Sequence, residues 1–202
     1  MQQEIEVKFL DAPHDEMRER LTSVGAVCEH PMRLMRRAII DYPDRRMQTA
    51  SPDGWGWVRV RDEVDKVTCT YKHIAADGKD TTYEIEFAVS SYEKAVQLFE
   101  AIGLMKHAEQ ETKRETWKLD DVEVVLDEWP WIPPYIEIEG SSEHALQTAA
   151  EKLGIDWSKA LHGSSDRAYR IYYPRMTEEE SITDAGVLTF DGGLPQWLKE
   201  RQ

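Results

Sequence analysis

Cysteine and long apolar runs are scarce in this chain, and positive charge is outnumbered by negative. Only Cys28 and Cys69 occur among 202 residues; two cysteines without CxxC spacing cannot make a disulfide framework, and the expectation is a reducing cytosol. The six histidines, His14, His30, His73, His107, His144 and His162, show no HxxxH or His/Cys spacing, which argues against a zinc site. Lys and Arg number 25 against 39 Asp and Glu, a formal net charge of −14. That balance excludes a phosphate-backbone binder of the ordinary kind, because non-specific nucleic-acid affinity needs a basic surface. Any polyanion must be held by a local basic site. No stretch of about 18 apolar residues suggests a membrane span, and the start Met-Gln-Gln-Glu lacks a basic, then apolar, leader. The expectation is a soluble cytoplasmic protein with neither nucleic acid nor membrane as partner, present as a monomer or homodimer.

What is present suits one sizeable core: 41% of residues are apolar, with 7 Trp and 8 Tyr. Strand-like segments fall at about residues 2–10, 33–42, 56–63, 66–74, 81–89, 111–119, 122–129 and 134–140. Three helices interrupt them. The first follows Pro13 and runs to about Val24; the second starts near Ser90-Ser91 and is expected to bury Ala95, Leu98, Phe99 and Ile102; the third follows Ser141-Ser142 and carries Ala145, Leu146, Ala149 and Leu153. Polar turns around Arg61–Lys66, Ala76–Lys79 and Lys118–Val122 favour hairpins and antiparallel order, and Asp41-Tyr42-Pro43-Asp44 reads as a turn. Residues 1–174 are expected to form one domain and residues 175–202, which lack a clear period, a C-terminal tail.

The strands share a charge pattern. Side chains on a strand alternate between its faces, so Glu4, Glu6 and Lys8 share one face and Ile5, Val7 and Phe9 the other. The same alternation recurs in Arg59-Val60-Arg61, Glu84-Ile85-Glu86, Val125-Leu126-Asp127 and Glu137-Ile138-Glu139. Eight mostly antiparallel strands with short loops predict an α+β fold in which an eight-stranded antiparallel β-barrel removes its own edges and helices pack outside. Because the amphipathic helices need an apolar partner surface, the charged residues are expected to point inward. Lys8, Arg59, Arg61, Lys72 and Arg114 could then bind several phosphoryl oxygens. Glu4, Glu6, Asp127, Glu137 and Glu139 supply hard oxygen ligands suited to Mg2+ or Mn2+.

The ordered set Glu4-x-Glu6-x-Lys8, Arg59-x-Arg61, Lys72, Glu84-x-Glu86, Arg114, Asp127 and Glu137-x-Glu139 resembles the CYTH domain family, the triphosphate tunnel metalloenzymes, over about residues 2–173. That family includes class IV adenylate cyclases, thiamine triphosphatases and inorganic tripolyphosphatases. The resemblance implies a small-molecule triphosphate as partner, metal ligation by Glu4, Glu6, Asp127, Glu137 and Glu139, and a supporting role for Glu84 and Glu86. It also implies that Lys8, Arg59, Arg61, Lys72 and Arg114 bind phosphates and act in catalysis. Arg37, which shares parity with Ile39, is a further phosphate contact unless a one-residue slip brings in Arg36. Arg167 is the candidate for a basic residue near the C-terminus. Lys113 should face away if Arg114 faces in. The segment Thr112–Leu119 and Trp57 are similar to their counterparts in thiamine triphosphatases, where the Trp is placed to stack on an organic ring. Those enzymes carry a Tyr beside the ExExK lysine where this chain has Ile39. The implied reaction is metal-dependent hydrolysis of tripolyphosphate or an organic triphosphate. Cyclic AMP formation from ATP and non-catalytic polyphosphate or nucleotide binding are the alternatives.

Overall fold

Period-two alternation of apolar and charged residues does produce strands, and their apolar faces do seek helices. The computed structural model describes residues 2–49, 51–76 and 82–202, the side chains of Gln2, Gln3 and Glu4 excepted. The side chain of the expected metal ligand Glu4 and most of the expected turn at Ala76–Lys79 therefore lie outside what is described. Strands β1 (Gln2–Phe9), β2 (Val27–Asp41), β3 (Trp55–Asp62), β4 (Val67–Ile74), β5 (Thr82–Val89), β6 (Met105–Leu119), β7 (Val122–Glu128), β8 (Tyr135–Gly140) and β9 (Val187–Leu188) alternate with helices α1 (His14–Ser23), α2 (Tyr92–Ala101), α3 (Glu143–Lys152), α4 (Ser165–Tyr172) and α5 (Gln196–Lys199). None of the described helices is long and apolar enough to cross a membrane.

The expected eight-stranded antiparallel barrel is corrected by this topology. The strands form a nine-stranded sheet and not a closed eight-stranded barrel. Closure was expected as the way to abolish edges, but here the sheet ends on β9, a two-residue strand lying parallel to β6 with Glu109 opposite Val187 and Gln110 opposite Leu188. A very short terminal strand is another way of blunting an edge. β2 and β6 are also 15 residues long, well beyond the segments expected from their apolar alternation.

The chain divides into two compact units. The mid-chain unit comprises Met1–Gln3, Leu34–Glu111 and Glu178–Pro195. Its core is an antiparallel run in which β2 pairs with β3, β3 with β4 and β4 with β5. Ala38, Ile40, Val58, Val60 and Cys69 pack from the sheet against Tyr92, Ala95 and Val96 of α2. The Ser91 side chain caps α2 by accepting from the Lys94 backbone N–H. The stripe that faces the sheet is Tyr92, Ala95, Val96 and Phe99, so Leu98 and Ile102, expected to be buried, are 60% and 63% exposed. Positions i, i+3, i+4 and i+7 make one face, and a core that already holds Tyr92 leaves 98 and 102 on its flank. Residues 182–190 attach here: Leu188 is buried and the Phe190 N–H donates to Glu111.

The terminal unit comprises Glu4–Arg33, Thr112–Thr177 and Gln196–Gln202. β1 pairs with β8, β8 with β7 and β7 with β6, all antiparallel. Val7, Phe9, Val124, Leu126, Ile136 and Ile138 form one apolar face, covered by Met17 and Leu21 of α1 and by Leu146, Ala149 and Ala150 of α3. Ser142 caps α3 by accepting from the Ala145 N–H. The β6–β7 hairpin turns at Asp120, in the left-handed conformation that Asp tolerates. Beyond α3, Tyr169 of α4 is buried with its hydroxyl donating to the Pro130 carbonyl, and Leu198 of α5 is buried.

Candidate functional site

In the mid-chain unit, the face of β2–β5 turned away from α2 carries the cations expected from sequence. Val58 and Val60 point to the helix, so Trp57, Arg59 and Arg61 point the other way. Antiparallel register sets Trp57 opposite Lys72, Arg59 opposite Thr70, Arg61 opposite Thr68 and Arg37 opposite Arg61. The next strand continues the row, with Glu84 opposite Lys72 and Glu86 opposite Thr70. Lys72 Nζ lies 2.7 Å from Glu84 Oε1. Arg59 Nη2 donates to Thr70 Oγ1 at 3.2 Å and to Glu86 Oε2 at 3.4 Å, and the Thr70 hydroxyl donates to the same oxygen at 2.6 Å. Glu84 and Glu86, the two acids expected in a supporting role, thus lie against Lys72 and Arg59. The register also decides between the two neighbouring arginines of β2. Arg36 lies on the helix side, bonded to Asp62 and Glu93 and stacked over Tyr92, while Arg37 shares the face of Arg59 and Arg61.

Trp57 stacks on Trp55, ring centroids 5.2 Å apart at 26°. Gly56 between them is dictated by backbone approach, since a Cβ there would stand 2.3 Å from the Lys72 carbonyl oxygen. Ile39, opposite Arg59, is buried and apolar where a Tyr would carry a hydroxyl.

In the terminal unit, the face opposite α1 and α3 gathers the acids. Register places Lys8 opposite Glu137 and Glu6 opposite Glu139, and across the next pairs Arg114 opposite Asp127. Lys8 is 1% exposed. Its Nζ lies 2.7 Å from Glu6 Oε1 and 3.3 Å from Glu137 Oε1, and donates to the Gly163 carbonyl at 2.7 Å. Arg114 forks onto Asp127, Nε to Oδ1 at 2.7 Å and Nη2 to Oδ2 at 2.6 Å. The same Nη2 reaches Glu137 Oε2 at 2.7 Å, and Nη1 lies 3.7 Å from Glu139 Oε1. Lys113 faces the other way, bonded to Glu128. So do Glu115, which accepts from the Trp117 indole at 2.7 Å, and Arg18 of α1, which bonds that same carboxylate.

Electrostatics follow from this crowding. Burial alone would pull the Lys8 ammonium down, but Glu6 and Glu137 outweigh it and raise its pKa above the ordinary lysine value. Asp127 and Glu137 do the same for Arg114 against its burial. The Glu139 carboxyl is pushed well above the usual range, first by burial and then by Glu137, Glu6 and Glu123, with Arg114 opposing. More carboxylates than cations meet here, which favours the protonated form of Glu139.

Carboxylates with no sulfur or imidazole among them form a donor set that fits a hard divalent cation. Among the described residues, however, no three His, Cys, Asp or Glu stand together as a group that could hold a metal ion. The acids are turned to Lys8 and Arg114 instead.

A CYTH domain profile matches residues 2–172. The chain belongs to the CYTH domain family. A candidate adenylate cyclase of Methanocaldococcus jannaschii is 29% identical over 123 residues, which span 57% of this chain and 67% of that protein. Among solved structures, a candidate adenylate cyclase from Vibrio parahaemolyticus superposes with a TM-score of 0.69 at 12% identity, covering 82% of this chain and 97% of that one. A CYTH-like fold is also shared with a candidate adenylyl cyclase of Hippeastrum described as having a dominant triphosphatase activity, with a TM-score of 0.54 at 11% identity, covering 90% of this chain and all of the other.

Two positions in this CYTH chain escaped sequence reasoning. Glu63 was absorbed into a polar turn, yet it is buried and bonds Arg61 and Thr68; continuing the period of two past Arg59 and Arg61 would have found it. Gly163, at φ +92°, delivers the carbonyl bonded by Lys8, and no local pattern announces it. Arg167, four residues on, donates to the His162 carbonyl at 2.9 Å.

Proposed function

We propose that this CYTH chain is a divalent-metal-dependent triphosphatase acting on inorganic tripolyphosphate or an organic triphosphate such as thiamine triphosphate. The observation that carries the reading is the terminal-unit cluster, in which Glu6, Asp127, Glu137 and Glu139 surround Lys8 and Arg114, four carboxylates against two cations, with the Glu139 carboxyl pushed up by burial and by its acidic neighbours. Buried charge in excess of its partners is expensive, and strongly shifted groups collect where a ligand supplies the missing charge. Glu6, Glu137 and Glu139, with Asp127 beside them, are the residues that would hold Mg2+ or Mn2+. A bound divalent cation supplies neutralisation of phosphoryl oxygens.

The remaining chemistry belongs to the side chains. Arg59, Arg61 and Lys72 are suited to binding phosphoryl oxygens, and a polyanion would compete for them with Glu84 and Glu86. Lys8 remains protonated between two carboxylates, so its part is that of a cation at a phosphoryl group and not of a general base. With Ile39 apolar beside Arg59, the attacking water is to be oriented in line by the charged groups and not by a Tyr–Lys pair. The dominant triphosphatase activity described for the Hippeastrum protein supports hydrolysis. The name of the Methanocaldococcus relative favours a second reading, cyclisation of ATP to cyclic AMP and pyrophosphate.

Product analysis separates the two. Purified protein is given tripolyphosphate, thiamine triphosphate or ATP, each with Mg2+, Mn2+ or chelator. Metal-dependent orthophosphate from either of the first two is the expected result; cyclic AMP from ATP would replace it with the cyclase reading. Silence on all three, with retained metal-dependent binding, would leave a polyphosphate or nucleotide binder.

A further inference from the structure

Three arginines stand close together on one sheet face in the mid-chain unit. Arg37 and Arg61 are directly opposed across β2 and β3, and Arg59 is two residues along β3. Opposed residues on neighbouring antiparallel strands have Cβ atoms about 4.5–5.5 Å apart, a distance at which like charges repel. One carboxylate beneath them differs from the rest. Glu63 is 2% exposed, and its Oε1 accepts from Arg61 Nε at 3.0 Å, Arg61 Nη2 at 2.8 Å and Thr68 Oγ1 at 3.3 Å, with Lys66 Nζ 3.7 Å from Oε2. Nε and Nη2 form one edge of the guanidinium fork. The Nη1 edge has no partner among the described residues.

Turn closure does not account for this carboxylate. The β3–β4 hairpin is closed by the Glu63 N–H donating to the Lys66 carbonyl at 2.8 Å and by the Val64 N–H donating to Asp62 Oδ1 at 3.1 Å. Neither bond uses the Glu63 side chain. Glu86, an acid of the same face, also behaves differently. The Glu86 side chain is 37% exposed and can turn to water when an anion arrives, whereas that of Glu63, at 3%, has no such route. Burial pushes the Glu63 carboxyl up, yet Arg61, Lys66 and Arg59 together hold it below its ordinary range.

We infer that Glu63 is a positioning residue, a fixed counter-charge that grips one edge of the Arg61 guanidinium so that the other edge is presented to the phosphate chain of a triphosphate. The inference rests on the triphosphate reading above and adds a residue that the reading does not use. Glu63 acts only through Arg61.

A double-mutant cycle tests this, with binding of inorganic tripolyphosphate by titration calorimetry and steady-state hydrolysis as readouts. Wild type, Glu63→Gln, Arg61→Ala, Arg59→Ala and the two doubles containing Glu63→Gln are compared. Glu63→Gln keeps the shape and an acceptor oxygen but loses the charge. It is expected to weaken binding and raise KM about tenfold, with a smaller change in kcat, as loss of one oriented charge-assisted contact does. In the Arg61→Ala background the same substitution should change binding by less than about twofold, while in the Arg59→Ala background the full factor should persist. Should Glu63→Gln fail to fold, Glu63→Asp retains the charge one methylene short and is expected to lose an intermediate factor, again only when Arg61 is present. An undiminished loss in the Arg61→Ala background, or unchanged binding in Glu63→Gln, overturns the positioning role and leaves the triphosphatase reading intact. Wild type that neither binds nor hydrolyses tripolyphosphate or thiamine triphosphate overturns both.

Discussion

The two units solve the same problem with opposite signs. Each lays an apolar sheet face on helices and turns a charged face the other way, but in the mid-chain unit that face holds Arg37, Arg59, Arg61 and Lys72 against Glu63, Glu84 and Glu86. In the terminal unit Lys8 and Arg114 stand against Glu6, Asp127, Glu137 and Glu139. One face is left with positive charge, the other with negative. Neither imbalance aids folding, and under the triphosphatase reading proposed above each would be met by a ligand of the missing sign. The comparison also predicts where substitution damages stability and where it damages binding.

The largest effect is expected at Arg114. Its guanidinium forks onto the fully buried Asp127 and also bonds Glu137. Arg114→Ala leaves buried acid charge uncompensated, and loss of one partner of such a pair costs about 3–5 kcal/mol. Urea unfolding should show that loss, and turnover should fall by about two orders of magnitude or more. Arg59→Ala should behave differently. Its neighbours Thr70 and Glu86 still bond each other at 2.6 Å, so the stability cost should stay near the ordinary value of about 1 kcal/mol for a hydrogen bond. The KM for tripolyphosphate, by contrast, should rise about tenfold or more. If Arg59→Ala unfolds the protein as readily as Arg114→Ala, the contrast between the units is wrong.

A third substitution, Glu139→Gln, probes the surplus of acid itself. Because the folded-state pKa of Glu139 is raised, the folded chain binds more protons than the unfolded one between the ordinary carboxylate pKa and the raised value. Stability contributed by that proton is complete below the ordinary value and is lost as pH rises through the raised one. The amide mimics the protonated form at every pH. Melting temperatures in chelator from about pH 5 to pH 8 should therefore decline less steeply for Glu139→Gln than for wild type. Added Mg2+ or Mn2+ should raise the melting temperature of wild type and do so less for the variant. A parallel decline in both proteins would remove the reason for reading this cluster as a cation site.

Much of this was legible in the sequence because strand parity is local. Once Val58 and Val60 seek a helix, Arg59 and Arg61 must point away, and the same holds for Glu137 and Glu139 around Ile138. Which of Arg36 and Arg37 joins them was not local: it is decided by Asp62 and Glu93, contacts that hold Arg36 on the helix side. Glu63 was hidden by its setting among turn residues, since Asp62 and Val64 on either side do form the turn. The barrel was inferred from the need to lose edges, and the short β9 that ends the sheet comes from residues with no detectable period. Short elements such as β9 and α5 owe their order to burial of single residues, Leu188 and Leu198, which pattern cannot foresee.

The smallest predicted effect lies one residue from the largest. Lys113 and Arg114 are neighbours on β6, and the pleat sends them to opposite faces. Lys113 meets Glu128 at 3.1 Å with both side chains more than a third exposed, where solvent screens the attraction. Arg114 meets Asp127 with the acid 1% exposed, where water cannot. Lys113→Ala is therefore expected to cost about 0.2–1 kcal/mol, an amount typical of surface pairs, and to leave tripolyphosphate hydrolysis within about twofold of wild type. High salt should shrink even that difference. A loss of activity at Lys113 comparable with that at Arg114 would mean that charge on either face of this strand reaches the substrate, and the assignment of one face to helices and the other to chemistry could not stand.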